Sequence, residues 1–261
     1  MSYESIQLPK PSVFEGTALN SNVLIIASGH STKSIVDKKD QLRKHFDKII
    51  VCNYAFEFFD EIADFHIVAE KTSKTSTNYV YKKLSEGNFR TDLPRIVNWK
   101  GIEMYPERYN LIKTARSNFG GKPDIRKYAI GSNEGLLIGD VGSQSFSLGS
   151  ILLCAMHFAG MIGASSIYMI GADLCFKDEY DHFYKDSVYR EPPKIVKKKN
   201  AHKIIDVDLS GKTYKTTLFF KESAECISSS IATFFKGIRI VDFSDGLIVG
   251  TDKQRIAEHL K

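Results

Sequence analysis

Apolar residues in this chain come in compact blocks, separated by polar stretches long enough to hold helices. NVLIIASG (22–29), KIIVCN (48–53), ADFHIVAE (63–70), PRIVNW (94–99), SSIYMIGAD (165–173) and GIRIVDFS (237–244) are continuous runs bounded by turn residues. Runs of that kind predict strands buried on both faces. Between them, STKSIVDKKDQLRKHF (31–46) spaces Ile35, Leu42 and Phe46 along one helix face, with Ser31 or Thr32 as cap. Further helices are predicted over about 75–86, 106–116 and 217–236. GSILLCAMHFAGMIG (149–163) predicts a buried helix of small and apolar residues. HKIIDVD and KTYKTT flank Ser210-Gly211 as a short strand pair. Strands alternating with helices predict an α/β fold, a Rossmann-like mostly parallel sheet with helices on both faces. A single domain over 21–250 follows an extended arm (1–20), and a tail helix closes the chain (251–261). A lid-like loop, about 174–203, follows the fifth predicted strand.

In such sheets ligands bind outside the carboxyl ends of the strands, so the loops leaving that edge hold the candidate chemistry. Ser28-Gly29-His30-Ser31 is a strand-to-helix turn whose helix start suits a phosphate, or equally an ordinary βα turn with a serine cap. It is neither GxGxxG nor a Walker loop. Asn53 ends the second strand, where a side-chain amide reads a base edge or ribose, or closes an Asx turn. Glu70 ends the third and suits a ribose hydroxyl, a metal, or a pair with Lys71. Asp173 follows the small pair Gly171-Ala172 and either binds ligand or caps a turn. The loop beyond it gathers Asp178, Asp181, His182, Ser187 and Tyr189. His182, and His202 further on, are candidate general bases.

Composition narrows the classes. The chain has 261 residues, enough for a sizeable core without staples. A net charge of +5 suits an anionic ligand and is well short of a nucleic-acid-binding signature. Four scattered cysteines lack CxxC spacing, so no zinc or redox motif is indicated. The first residues lack a signal-peptide layout, and no apolar stretch has membrane-spanning length, so the expectation is a cytoplasmic protein. The basic excess leaves peripheral membrane association open, and an oligomer is equally open.

Several segments resemble a known family. GSILLCAMHFAGMIGASSIYMIGADLCFKDEYDHFYKDSVY (149–189) is similar to the central segment of Maf-type (motility accessory factor) glycosyltransferases, with a Gly-Ser-led helix, an I-Y-L-x-G-x-D-L strand and an H-x-x-x-x-S-x-Y loop. ADFHIVAEKTS resembles their P-D-F-H-x-E-x-E segment, and residues 206–217 resemble the end of that domain. VLIIASGHST stands where the family has G-x-G-P-S-L, with Ala27, His30 and Thr32 in place of glycine, proline and leucine. The core also resembles bacterial family 42 sialyltransferases, in which the asparagine matching Asn53 contacts the nucleotide. Archaeal 6-hydroxymethyl-dihydropterin pyrophosphokinases look like a third branch.

The resemblance implies a transferase moving a nonulosonic, sialic-acid-like sugar from a CMP-activated donor to a glycan or protein hydroxyl. It places Asn53 and Asp173 in the donor site and makes His202 or His182 the base; Ser28, Gly29, Ser31, Glu70, Gly149, Ser150 and Tyr189 complete the expected donor site. It implies no obligatory metal, with Mg²⁺ as an optional ion. Two alternatives stand beside it: an ATP- and Mg²⁺-dependent pyrophosphokinase using Asp173 and Glu70, and a nucleotide-binding protein without turnover.

Overall fold

The computed structural model describes residues 14–68, 89–90, 92–97, 111–113, 151–177 and 204–260. Its main sheet comprises β1 (Ser21–Ile26), β2 (Lys48–Cys52), β3 (Phe65–Val68), β4 (Arg95–Val97), β5 (Leu111–Lys113), β6 (Ala164–Ile170), β9 (Arg239–Asp242) and β10 (Asp252–Lys253). The strands β7 (Ile204–Leu209) and β8 (Lys212–Thr217) form a separate antiparallel hairpin. The helices are α1 (Lys39–His45), α2 (Phe56–Phe59), α3 (Ile151–Ile162), α4 (Leu218–Phe234) and α5 (Ile256–His259).

Strand order across the sheet is β10-β9-β6-β1-β2-β3-β4-β5, and every ladder is parallel. From β1 the chain steps outward to β5, then returns to lay β6 against the other edge of β1 and continues to β9 and β10. The direction of winding therefore reverses between β1 and β6. That is the topological switch point, the place where ligands usually bind in open α/β sheets.

Strand alternation sorts the core into two layers. Val23, Ile25, Ile50, Cys52, Ile167 and Met169 pack against α3 and α4 on one face. On the other, Leu24, Ile26, Ile49, Val51, Tyr168 and Ile170 pack with Leu42 of α1, Phe56 and Phe59 of α2 and Ile256 of α5. Burying side chains of this size favours folding by about 1.5–3 kcal/mol each. Residues 14–20, read as the end of an extended arm, are docked instead. Phe14 meets Phe65 and Phe158 edge-on, at 5.1 and 6.2 Å between ring centres.

Three predicted elements come out differently. The helix expected over 31–46 is split into a 3₁₀ helix (His30–Ile35) and α1. Its first turn is drawn tight because Thr32 Oγ1 donates back to the Ala27 carbonyl and Ser31 is held from across the sheet. The helix expected over 106–116 is replaced at 111–113 by β5, since β4 supplies a parallel edge to pair with. A short apolar run carries no periodicity that separates the two outcomes. The strand counted as fifth is thus β6. The tail read as helical also gives the sheet an edge strand, β10, which is short and polar as exposed edges usually are. The helix expected over 75–86 lies outside the described residues.

His157 on α3 is a polar residue set among apolar ones. It is buried, stacks on Phe235 at 4.8 Å between ring centres, and neither ring nitrogen has a hydrogen-bond partner among the described residues. Burial lowers its pKa from 6.5 to about 3. The unfolded chain takes up this proton below about pH 6.5, whereas the folded chain does not. Folding stability is therefore undiminished above pH 6.5 and is lost as pH falls from there toward 3, at about 1.4 kcal/mol per unit from this one group. His157→Phe is expected to flatten the pH dependence of urea unfolding between pH 6.5 and 4. An unchanged slope would show the ring to be solvated.

Candidate functional site

The carboxyl ends of β1 and β6 are joined by a tight clasp. Gly29 N–H donates to the Gly171 carbonyl (2.9 Å). The Ser31 N–H (3.1 Å) and Oγ (3.0 Å) both donate to Asp173 Oδ2, and Ser31 Oγ accepts from Gly171 N–H (2.8 Å). Lys177 N–H donates to His30 Nε2 (3.0 Å), tying the start of the next loop to the same turn. Glycine is required on both sides. A Cβ on Gly29 would lie 2.5 Å from the Gly171 carbonyl oxygen and would overlap Asp173 Oδ2. Gly171 has φ +78°, and a Cβ there would overlap Thr32 Oγ1 and the Ala27 carbonyl.

For Ser31 and Asp173 this geometry matches the structural alternative, a capped turn. The turn after β1 suited a phosphate or an ordinary serine-capped βα turn, and here Asp173 supplies the anion at its start. Ser31 spends its N–H and its hydroxyl on that carboxylate, and Thr32 N–H donates to the Gly29 carbonyl (3.2 Å). Asp173 is only 3% exposed. Burial raises its pKa and the two Ser31 bonds oppose the rise. In this conformation both residues position the switch-point loops. The residues that depart from the Gly-x-Gly-Pro-Ser-Leu pattern serve the same end: His30 accepts from Lys177, and Thr32 locks onto Ala27.

The clasp rests on a second network behind it. Ala172 N–H donates to Ser244 Oγ (2.8 Å), Leu247 N–H donates to the Asp173 carbonyl (3.2 Å), and Gly246 packs against the Asp173 backbone. The loop that carries Ser244–Leu247 is held in turn by Asp242, at the end of β9. Its Oδ1 accepts from Ser244 N–H (2.8 Å) and its Oδ2 from Lys253 Nζ (2.5 Å). Asp242 is fully buried; burial raises its pKa, and Lys253 opposes the rise. Sequence reading missed Asp242, Ser244 and Lys253. A carboxylate closing a buried strand was the only signal, and nothing local pointed to a lysine on the next edge strand.

On the other side of β1 lies a second polar surface. Ser28 and Asn53 each follow by two residues the register partners Ile26 and Val51, so they emerge side by side from adjacent strands. Asn53 sits in the left-handed region (φ +46°), which asparagine tolerates, and its carbonyl accepts from Nε2 of buried His66 (2.9 Å). The Ser28 hydroxyl is buried and has no hydrogen-bond partner among the described residues. An orphaned buried hydroxyl at a strand end calls for a ligand or an ordered water.

Comparison with known proteins gives one fold-level likeness. No protein-family model and no curated protein matches the chain. A solved structure that it resembles is that of the Maf glycosyltransferase from Magnetospirillum magneticum AMB-1, with a TM-score of 0.54 and 14% identity. The two share a fold. The match covers 94% of this chain and 37% of the other, so this chain spans little more than a third of that protein's length. The likeness agrees with the α/β, Rossmann-like expectation.

Of the predicted site residues, Ser28, Gly29, Ser31, Asn53 and Asp173 come together at the carboxyl edge of β1, β2 and β6. Glu70, Gly149, Ser150, His182, Tyr189 and His202 lie outside the described residues, as does the lid-like loop beyond Lys177. Among the described residues no helix is long and apolar enough to cross a membrane, and all four cysteines are free thiols. Burial pushes the Cys154 and Cys175 thiols up to about 12, so neither is a nucleophile near neutral pH.

Proposed function

We propose that this chain is a glycosyltransferase that moves a nonulosonic sugar from a CMP-activated donor to a hydroxyl of a glycan or protein. The observation that carries the reading is the pairing of the orphaned Ser28 hydroxyl with Asn53 at the edge of the switch point. The likeness to a protein described as a Maf glycosyltransferase and the segment resemblances support it. The nucleotide lies over the ends of β1 and β2, on the Asn53 side, because the Ser31–Asp173 clasp closes the β1–β6 side. A nucleoside monophosphate is a stable leaving group, so the step needs no obligatory metal, and Mg²⁺ is accessory. One histidine of the pair His182 and His202 takes the proton of the acceptor hydroxyl as that oxygen attacks the anomeric carbon with inversion and CMP leaves.

The test is thermal stabilisation by CMP, CDP, UDP, GDP and ATP, each with and without Mg²⁺. A ligand at about 100 times its Kd stabilises by about 2.7 kcal/mol, which a melting experiment resolves. The expected result is a shift with CMP that needs no metal and disappears in Asn53→Ala. A shift with ATP and Mg²⁺ alone would replace this reading with a phosphotransferase.

A further inference from the structure

Strand β3 carries a histidine where its surroundings call for an apolar side chain. Phe65 and Ile67 face the core layer packed on α3 and α4, so strand alternation turns His66 to the opposite layer. That layer is built by Val51, the register partner of His66 on β2, with Phe56 and Phe59 of α2. The ring is fully buried and stacks on Phe56 at 4.9 Å between ring centres, with 24° between planes. Phe56 is backed in turn by Phe89 at 4.7 Å. Leucine or phenylalanine would serve such packing as well, and burying an imidazole costs stability unless its polar atoms are bonded. What the ring adds is a donor. Its Nε2 lies 2.9 Å from the Asn53 carbonyl oxygen, and a carbonyl only accepts, so Nε2 carries the proton.

That carbonyl belongs to the residue on which the donor reading rests. Asn53 opens a 3₁₀ turn (Asn53–Ala55), and its carbonyl also accepts from Phe56 N–H at the end of that turn. Its φ of +46° is a conformation that a residue with a Cβ keeps only where the surrounding structure holds it. Two donors converge on one carbonyl, one from the following turn and one from the neighbouring strand. Together they fix the peptide plane that follows Asn53. The Cα–Cβ bond of Asn53 is set by the same backbone, so the reach of its amide depends on a side chain buried in β3.

We infer that His66 is a positioning residue for the nucleotide, holding Asn53 in the left-handed conformation that presents its amide beyond the end of β2. His66 is buried and acts through Asn53. The effect on nucleotide affinity rests on the transferase reading above; the hold on the Asn53 backbone rests on the hydrogen bond alone.

Two measurements on the full chain test this: the carbon chemical shifts of Asn53 Cα and Cβ, which report its backbone conformation, and the CMP Kd by calorimetry. His66→Phe keeps a ring against Phe56 and removes the donor. His66→Gln returns an N–H at about the reach of imidazole Nε2. In His66→Phe the Asn53 shifts are expected to leave the left-handed range and the CMP Kd to rise about tenfold, with both restored in His66→Gln. Asn53→Gly removes the amide and makes the left-handed conformation free of strain. In that background His66→Phe should leave the CMP Kd where Asn53→Gly puts it. Should His66→Phe fail to fold, His66→Asn, whose amide stops short of the carbonyl, carries the comparison. Asn53 shifts that stay in place when the donor is lost would overturn the inference, whatever CMP does. With CMP bound by the parent chain, a Kd that does not rise, rises equally in both backgrounds, or fails to recover in His66→Gln would overturn it too, by making His66 a packing residue. Shifts that move in a protein that CMP does not bind would support the hold on Asn53 and overturn the CMP donor.

Discussion

Gly171→Ala is expected to destabilise the fold by about 3 kcal/mol or more, a loss typical of strain at a special backbone position compounded by overpacking. Two costs add at this residue. Its φ of +78° places an L side chain in the left-handed region, which costs about 1–2 kcal/mol by itself. The new methyl group would also press on the Ala27 carbonyl, whose carbon would lie 2.6 Å away, and on Thr32 Oγ1. Gly211, in the turn of the β7–β8 hairpin, separates these effects. Its φ is +79°, and a Cβ there meets nothing within 4 Å. Gly211→Ala should therefore show the backbone cost alone. Urea unfolding of the two variants gives the difference directly. Equal losses would mean that the loops after β1 and β6 move apart freely, and the clasp would then not be what sets the switch point. Any CMP-induced stabilisation should fall in Gly171→Ala and persist in Gly211→Ala, since only the first disturbs the turn that carries Ser28.

Lys253→Met is expected to cost about 2 kcal/mol, less than the loss on breaking a fully buried pair because the lysine is itself partly solvated. Lys253 itself is half-exposed, but Asp242 is not exposed at all, and the lysine ammonium also reaches the Ser244 and Gly246 carbonyls at 3.2 and 3.5 Å. The sign of the pH dependence identifies the cause. Burial already raises the Asp242 pKa, and Lys253 is the main influence opposing it. Without the lysine the folded state holds the carboxyl proton more tightly still. The deficit should then be small near pH 3, where unfolded aspartate is itself largely protonated, and grow as pH rises. Replacing Asp242 by Asn in the Lys253→Met background should recover much of the loss at neutral pH. A loss below about 1 kcal/mol, independent of pH, would make this an ordinary surface pair.

The pH responses of Asp242 and His157 run in opposite directions. The histidine withholds stability in acid because the folded chain cannot accept its proton. The aspartate in the lysine variant withholds it toward neutral pH because the folded chain is reluctant to release one. Measuring both variants across pH 4–8 keeps the two apart.

The sequence alone determined the layering of this protein. Apolar runs such as VLII and YMI have both faces buried, so they could only be central strands, and the two helical patterns richest in small and apolar residues became α3 and α4. It also determined which edge carries the chemistry, because a parallel sheet puts every loop after a strand on one side. Strand order belonged to the tertiary structure. No local pattern says that β6 returns to the free edge of β1, and without that step the switch point has no location. The same holds for Asp173 and Ser31. Each looked ready to meet a ligand, yet the two residues are 142 positions apart in the chain and bond to each other, because β1 and β6 are neighbours. Asp242 and Lys253 likewise meet only because β10 adds to β9. Hydrophobic periodicity is a property of consecutive residues and survives in the sequence. The pairing of polar groups across a sheet depends on which strands lie side by side, and that is decided when the whole core closes.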